Sequence, residues 1–554
     1  MPSLSFFLLV NLTIMKIISL LLCLWAVTSP LQAQLSSISF PRYSDKSTDN
    51  LEITRIERTD TATIFFMEVY NSPNYWVRLS SATILQGADT GKSYKLLSSK
   101  GFELDKQIYM PASGNASFQL FFEPVGKQEQ KIHFIEGKAE GDYVIKNIEL
   151  NENYKKARIR CHITGTVTDR PQSSRLMLYT GMTNMQAPWK SIPIHNGSFD
   201  YTIYTNKEDK CHLVFWDDFM NGVMIPVPFF AENGTIQFKL FPYQGSVSKS
   251  YEIITDAPLT GEMLAHKKQQ NTLFQFDDIY AAETELQKAG KYYTETYHSF
   301  WKKFDETKIP EERDKLYKER DRLEESGAFY TDTALVLINK YTERSDSLMA
   351  WNFQYATQHS TLPNLYLLME NAKSAKATGK DLIPHRDAYN KVFKAKFKNH
   401  PAGKAFSEFI ASIDIKVGGQ YIDFTAPNLE GKEITLSDMI KDKVALIDFW
   451  ASWCGPCRRH SKSIIPVFNK YKEKGFTVIG VARERNNAKD MKAAIEKDGY
   501  PWINLVEIND KAQIWSKYGI SNAAGGSYLI DKTGRILAVN PSAEEIEDIL
   551  EKVL

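Results

Sequence analysis

The chain has 554 residues, with 68 lysines and arginines against 67 aspartates and glutamates, a formal net charge of +1. That length calls for several domains rather than one core, and the near-neutral charge gives no electrostatic reason to expect nucleic acid or an anionic membrane surface as a partner. At 43% hydrophobic and 24% charged, the composition is that of an ordinary globular protein.

Residues 5–27 are almost wholly apolar, interrupted by Asn11, Thr13 and Lys16. Met15-Lys16 followed by IISLLLCLWAV reads as the charged and apolar parts of a signal peptide, with Ala33 as a small residue for cleavage. Residues 1–33 are therefore expected to be removed and the rest exported. The competing reading is an uncleaved membrane anchor, but the uninterrupted apolar run is short for a bilayer span. Of the 5 cysteines, Cys23 lies in this leader. The remaining four, Cys161, Cys211, Cys454 and Cys457, make an even count that fits an oxidising compartment.

Residues 34–150 are β-rich, with ATIFFMEVY, SFQLFFEPV, KIHFIEG and YVIKNIEL as short aromatic and β-branched runs. They predict an immunoglobulin-like β-sandwich. A second β-rich domain, 155–251, opens with RIRCHITGTV. Within it SIPIHNGSFDYTIY reads as a hairpin whose Asn196-Gly197 suits a turn with positive φ, and Asn233-Gly234 repeats the pattern. Both sites also match Asn-x-Ser/Thr, but the flanking strands favour the turn. Cys161-His162 and Cys211-His212 invite a zinc reading. Neighbouring strand residues point to opposite faces, however, so one dipeptide cannot easily supply both ligands inward. A structural Cys161–Cys211 disulfide or two buried thiols are the stronger alternatives, and no metal or other cofactor is expected.

Residues 259–417 switch to helical periodicity. Tyr293, Tyr297, Phe300 and Phe304 share one face, and EERDKLYKERDRLEE reads as a solvated, salt-bridged helix. Such stripes are core and surface, so this region is expected to be a spacer or a homo-oligomer face rather than a site of chemistry. Gly418-Gly419 marks the last boundary. In 420–554 the pattern predicts strands at 444–450, 476–482, 527–531 and 536–539, and helices at 454–474, 488–499, 510–518 and 543–553. This alternation predicts an α/β sheet covered on both faces. The whole chain thus reads as multidomain: β-sandwich regions, a helical middle and a C-terminal α/β domain.

The chemistry concentrates in Cys454-Gly455-Pro456-Cys457. The strand KVALIDFW ends at a turn, Ala451-Ser452-Trp453, which places Cys454 at the start of a helix. The positive end of the helix dipole and its free N–H groups favour thiolate there, and thiolate is the attacking species in disulfide exchange. Cys457, one turn deeper and expected to be the more buried, would resolve the mixed disulfide. Pro456 is tolerated because the first turn needs no backbone donor. A structural bridge rarely needs such a turn, and a zinc site lacks a second ligand pair. Asp448, six residues before Cys454 in an apolar strand, would lie under the cysteines with a raised pKa, able to accept the proton of Cys457 through water. His460, one turn beyond Cys457, would favour a nearby thiolate if protonated.

DFWASWCGPC is similar to the thioredoxin active site, including Asp448 and Trp453. IDFTAPNLEGKEITLSDM, GFTVIGV and YLIDKTGRIL resemble the TlpA/ResA-type exported thiol–disulfide oxidoreductases. FFEPVGKQEQKIHFIEG and ITGTV…HNGSFDY resemble the N-terminal extensions of the large Bacteroidetes members. The resemblance implies a thioredoxin fold over 420–554 and exchange with protein thiols or disulfides. It also implies electrons arriving from a membrane-embedded thiol carrier, and residence in the periplasm of a Gram-negative bacterium. The Gly-Pro spacer resembles reducing members and points to a reductase. Three departures stand out. His460 occupies a position where the family commonly has Glu, the proline further along the helix is displaced to Pro466, and the loop 521–526 lacks the family's cis-proline. Gly525 fits that proline's place, with Ala524 next. This loop is expected to hold extended peptides weakly, with small-disulfide exchange less affected, and a proline installed at Gly525 to narrow the gap if the backbone can accept it. Two further readings compete with the enzyme: a binding or scaffold protein with a vestigial redox motif, and a peroxiredoxin-like peroxidase, whose lone peroxidatic cysteine FWASWCGPC does not match.

Overall fold

The computed structural model describes residues 36–554 except 138, 140, 182–189, 224, 244–249, 486 and 521–524. The apolar leader and the Ala33 cleavage site lie outside the described residues. The chain divides into two compact units, 1–261 and 262–554.

In the first unit, alternating apolar positions along Leu51–Arg58, Thr63–Tyr70, Asn115–Phe122 and Lys131–Ile135 bury one face of each strand. Nine of the strands up to Val144–Glu149 form one continuous sheet, and Trp76–Val77 pairs with Ile108–Tyr109 in a separate two-stranded ribbon. Phe65 and Phe134 lie on strands four places apart in that sheet, which would put them roughly 19 Å apart if it were flat. Their rings are 6.3 Å apart, so the sheet folds over and closes on one core.

Residues 159–255 form two four-stranded sheets that face each other across a single core. Asn196 and Gly197 have φ of 50° and 68° and close a tight turn in which His195 and Ser198 exchange N–H···O bonds. The expected hairpin does not continue, because Lys190–Pro193 and Ser198–Thr205 run into opposite sheets. Asn233-Gly234 likewise joins strands of the two sheets rather than closing a hairpin. Cys161 and Cys211 come one from each sheet into this core, where both are fully buried free thiols. The disulfide considered above is not formed, and burial pushes the Cys161 thiol up to about 11.

The second unit begins with helices. Phe300 and Phe304 of Glu295–Glu306 pack on Leu316 of Pro310–Glu325 and on Phe329, so this half of the aromatic stripe is core, while Tyr293 and Tyr297 are half-buried at its edge. Further helices, including Leu362–Ala377 and Pro401–Ala411, lead to the C-terminal domain. Its five-stranded sheet runs β1 (Val444–Trp450), β2 (Phe476–Glu484), β3 (Ile503–Ile508), β4 (Gly526–Ile530) and β5 (Ile536–Val539), in the order β3-β2-β1-β4-β5. β1, β2 and β3 are parallel, and β4 runs antiparallel to both its neighbours, β1 and β5. Every residue of β1 is buried, as a central strand covered on both faces requires. Helices α1 (Gly455–Tyr471), α2 (Lys489–Asp498) and α3 (Ala543–Val553) follow β1, β2 and β5. Among the described residues no helix is long and apolar enough to cross a membrane.

Candidate active site

β1 delivers the chain to the surface, and Ala451-Ser452-Trp453 turns it into α1. Buried Glu484, at the end of β2, fixes that turn: its carboxylate accepts the Ser452 N–H and hydroxyl, each at 2.7 Å. Arg458 adds a bond to the Ser452 carbonyl at 3.2 Å while paired with Asp498 at 2.6 Å. Cys454 is thereby held as the N-cap of α1, and its Sγ accepts the Cys457 N–H at 3.3 Å. Pro456 sits in the first turn and Pro466 inside the helix.

Cys454 and Cys457 are joined as a disulfide. Their exposures are 7% and 9%, so the expected deeper burial of Cys457 is not seen. What separates the two is placement: Cys454 occupies the helix cap and Cys457 accepts the Gly525 N–H at 3.2 Å. A cavity of about 470 Å³ opens on the pair, and every site residue singled out in 420–554 lines it: Asp448, Trp453, Cys454, Gly455, Pro456, Cys457, His460 and Gly525. Cys161 and Cys211 belong to the first unit and take no part.

Asp448 is 2% exposed, and burial raises its carboxyl to about 7. The Ser461 hydroxyl donates to Asp448 Oδ2 at 2.6 Å and lies 3.0 Å from the Cys457 carbonyl oxygen. A hydrogen bond to the carboxylate favours its charged form, opposing the desolvation. Ser461→Ala removes a bond worth about 1.5–3 kcal/mol to a charged acceptor, which should raise the Asp448 pKa by about one unit or more. A pH titration of the Asp448 carboxyl carbon by NMR measures that shift.

His460 is half-buried, and its Nε2 lies 3.3 Å from the Ser527 hydroxyl. Burial lowers its imidazole pKa below the ordinary value, which disfavours the protonated ring beside the disulfide.

Gly525 precedes β4; residues 521–524 of its loop lie outside the described residues. An added Cβ at Gly525 would fall 2.1 Å from the Phe449 carbonyl oxygen and 2.8 Å from Cys457 Sγ. The condition for a proline there is not met: it would carry the same clash and remove the N–H given to Cys457. Gly525→Ala and Gly525→Pro should each destabilise the domain by about 1–3 kcal/mol and lower its exchange activity. Denaturant unfolding beside a small-disulfide assay checks both.

Sequence reasoning missed Ser461, Glu484 and Arg458. Only Ser461 had a readable signal, its i+4 spacing from Cys457 on one helical face.

A strand-to-helix turn bearing a bonded cysteine pair, above a buried carboxylate in a mixed five-stranded sheet, defines the thioredoxin-like class of thiol–disulfide oxidoreductases, and the C-terminal domain is of this class. Residues 417–539 match the AhpC/TSA family. The chain is 29% identical over 148 residues to thiol-disulfide oxidoreductase ResA of Bacillus thuringiensis, covering 26% of this chain and 83% of that protein. It is 27% identical over 143 residues to ResA of Geobacillus thermodenitrificans, covering 26% and 78%. Among solved structures, the thioredoxin domain of a thiol-disulfide oxidoreductase from Bacteroides vulgatus is 29% identical, covering 25% of this chain and 98% of that one, with a TM-score of 0.23. All these matches leave the β-rich regions as an N-terminal extension.

Proposed function

We propose that the chain is an exported thiol–disulfide reductase of the ResA type, acting on disulfides of other proteins in the periplasm. The observation that carries this reading is the Cys454–Cys457 bridge at a helix start, above a carboxyl that titrates near 7 and beneath an open cavity. In the reduced enzyme, Cys454 thiolate attacks one sulfur of the substrate disulfide, and a substrate thiolate leaves. Asp448 takes the proton of Cys457, whose thiolate attacks Cys454 Sγ and releases the second substrate thiolate. Two electrons have then passed to the substrate, leaving the enzyme as the disulfide seen here. A membrane-embedded dithiol carrier returns the two electrons.

The test is turnover of a protein disulfide by the reduced full chain, together with the equilibrium potential of the pair. A potential near the roughly −270 mV of thioredoxin supports a reductase, and one above about −180 mV overturns that direction. A chain inert toward every disulfide would leave the scaffold reading. For export, the intact mass of protein from its native host should correspond to a start near Gln34; retention of the leader would instead indicate an anchor.

A further inference from the structure

Beyond the cavity over the cysteines, the second unit holds a larger cleft of about 720 Å³, within the range of ligand-binding clefts. One wall comes from the C-terminal domain and the other from the helical region. The two spaces are continuous: Gly525, Gly526 and Asn540 line both. Two of these three shared residues are glycines, which bring no side chain of their own to the junction. A Cβ at Gly526 would already press on the Asn540 side chain at 3.2 Å.

The charge on the helical wall is one-sided. Lys376, Lys380 and Lys416 line it against a single acid, Asp381. Asp381 Oδ1 is engaged, accepting the Ile383 N–H at 3.0 Å. Lys376 is held in place by its bond to the Gly519 carbonyl at 3.0 Å and lies 5.6 Å from the Phe409 ring centre. Lys376 is exposed, its ammonium has no carboxylate partner among the described residues, and partial desolvation lowers its pKa. Lys380 pairs with Asp346 at 2.5 Å, and Lys416 is exposed. Trp453, which lines the cysteine cavity, has a basic neighbour too: Arg485 lies 5.7 Å from its ring centre. Ile415, Tyr518 and Val539 supply apolar surface between the charges, as a bound peptide requires.

We propose that this cleft is the docking groove for an extended acidic segment flanking the reacting cysteine of the substrate protein. The helical region would thus select substrate while the C-terminal domain performs the exchange. The proposal rests on the thiol–disulfide reading of the domain and gives it a substrate class. It also supplies a second hold on extended peptides beside a loop without proline.

The test uses the reduced full-length chain and two synthetic peptides. Each carries one cysteine as a mixed disulfide with thionitrobenzoate, flanked by aspartates in one and by lysines in the other. At low ionic strength kcat/KM for the aspartate peptide should exceed that for its lysine twin by about tenfold, the product of two or three partly exposed ion pairs. The difference should collapse at about 0.5 M salt, where the screening length is about 4 Å. Lys416→Glu, at an exposed position, should shrink the preference severalfold, and adding Lys376→Glu should reverse it. Equal rates on the two peptides with the native chain would overturn the groove while leaving the redox reading intact. So would a preference unchanged in a Lys416→Glu variant with native circular dichroism. No release of thionitrobenzoate from either peptide would overturn both.

Discussion

Cys454→Ala should lower disulfide turnover by at least about 10³-fold, because it removes the thiol that caps α1 and with it the attacking group. Cys457→Ala should also block turnover but leave the first attack intact, so the enzyme accumulates as a mixed disulfide on Cys454. Mass spectrometry of the trapped adduct distinguishes the two variants and identifies the substrate. Preferential alkylation of Cys457 in the reduced native chain would reverse the assignment, since the two thiols are nearly equal in exposure and only their electrostatic surroundings separate them.

Asp448→Asn should slow exchange by about 10²-fold at neutral pH, the lower end of what a positioned base contributes. It should also erase an inflection near pH 7 in the rate of mixed-disulfide resolution, above which the native carboxylate is free to accept a proton. The same substitution should stabilise the domain. A carboxyl raised from 3.8 to about 7 binds its proton more tightly folded than unfolded, so it costs nothing below about pH 4. The cost sets in as pH rises through the unfolded value and is complete above about 7, where it reaches about 4 kcal/mol. Asparagine avoids that cost. The gain of Asp448→Asn in denaturant titrations should therefore be largest at pH 8 and fade toward pH 4. A gain that does not change with pH would show that burial of charge is not its source.

The C-terminal fold was legible where local pattern and tertiary role agree. VALIDFW is an unbroken apolar run and forms β1 over the predicted residues, with its single acid under the cysteines. β3 was missed because Asn504 and Glu507 interrupt its apolar run. Both are satisfied by partners the strand pattern does not display: Asn504 accepts the Trp450 indole N–H at 2.9 Å, and Glu507 accepts the Ile514 N–H, seven residues on, at 2.9 Å. The helix expected over 510–518 shrinks to Ile514–Lys517, because Asn509, Asp510 and Gln513 adopt φ of 54–55° and break it. In the β-rich regions, strand patterns were readable but the partners were not. Asn196-Gly197 makes the turn its residues favour, yet which sheet each arm joins depends on contacts far along the chain. The cleft was invisible for the same reason, since its two walls come from segments more than a hundred residues apart.

Cys161 and Cys211 give the molecule a form of insulation. An enzyme that trades sulfur bonds for a living environment of thiols risks trading with itself, and a spare cysteine within reach of Cys454 would divert oxidising equivalents into a dead-end internal bridge. Here both spare sulfurs are sealed in the core of another unit with their protonated forms favoured, so neither offers an anion to attack or an exposed sulfur to be attacked. Among the described residues the exchange circuit is confined to the Cys454–Cys457 pair, which stores two electrons.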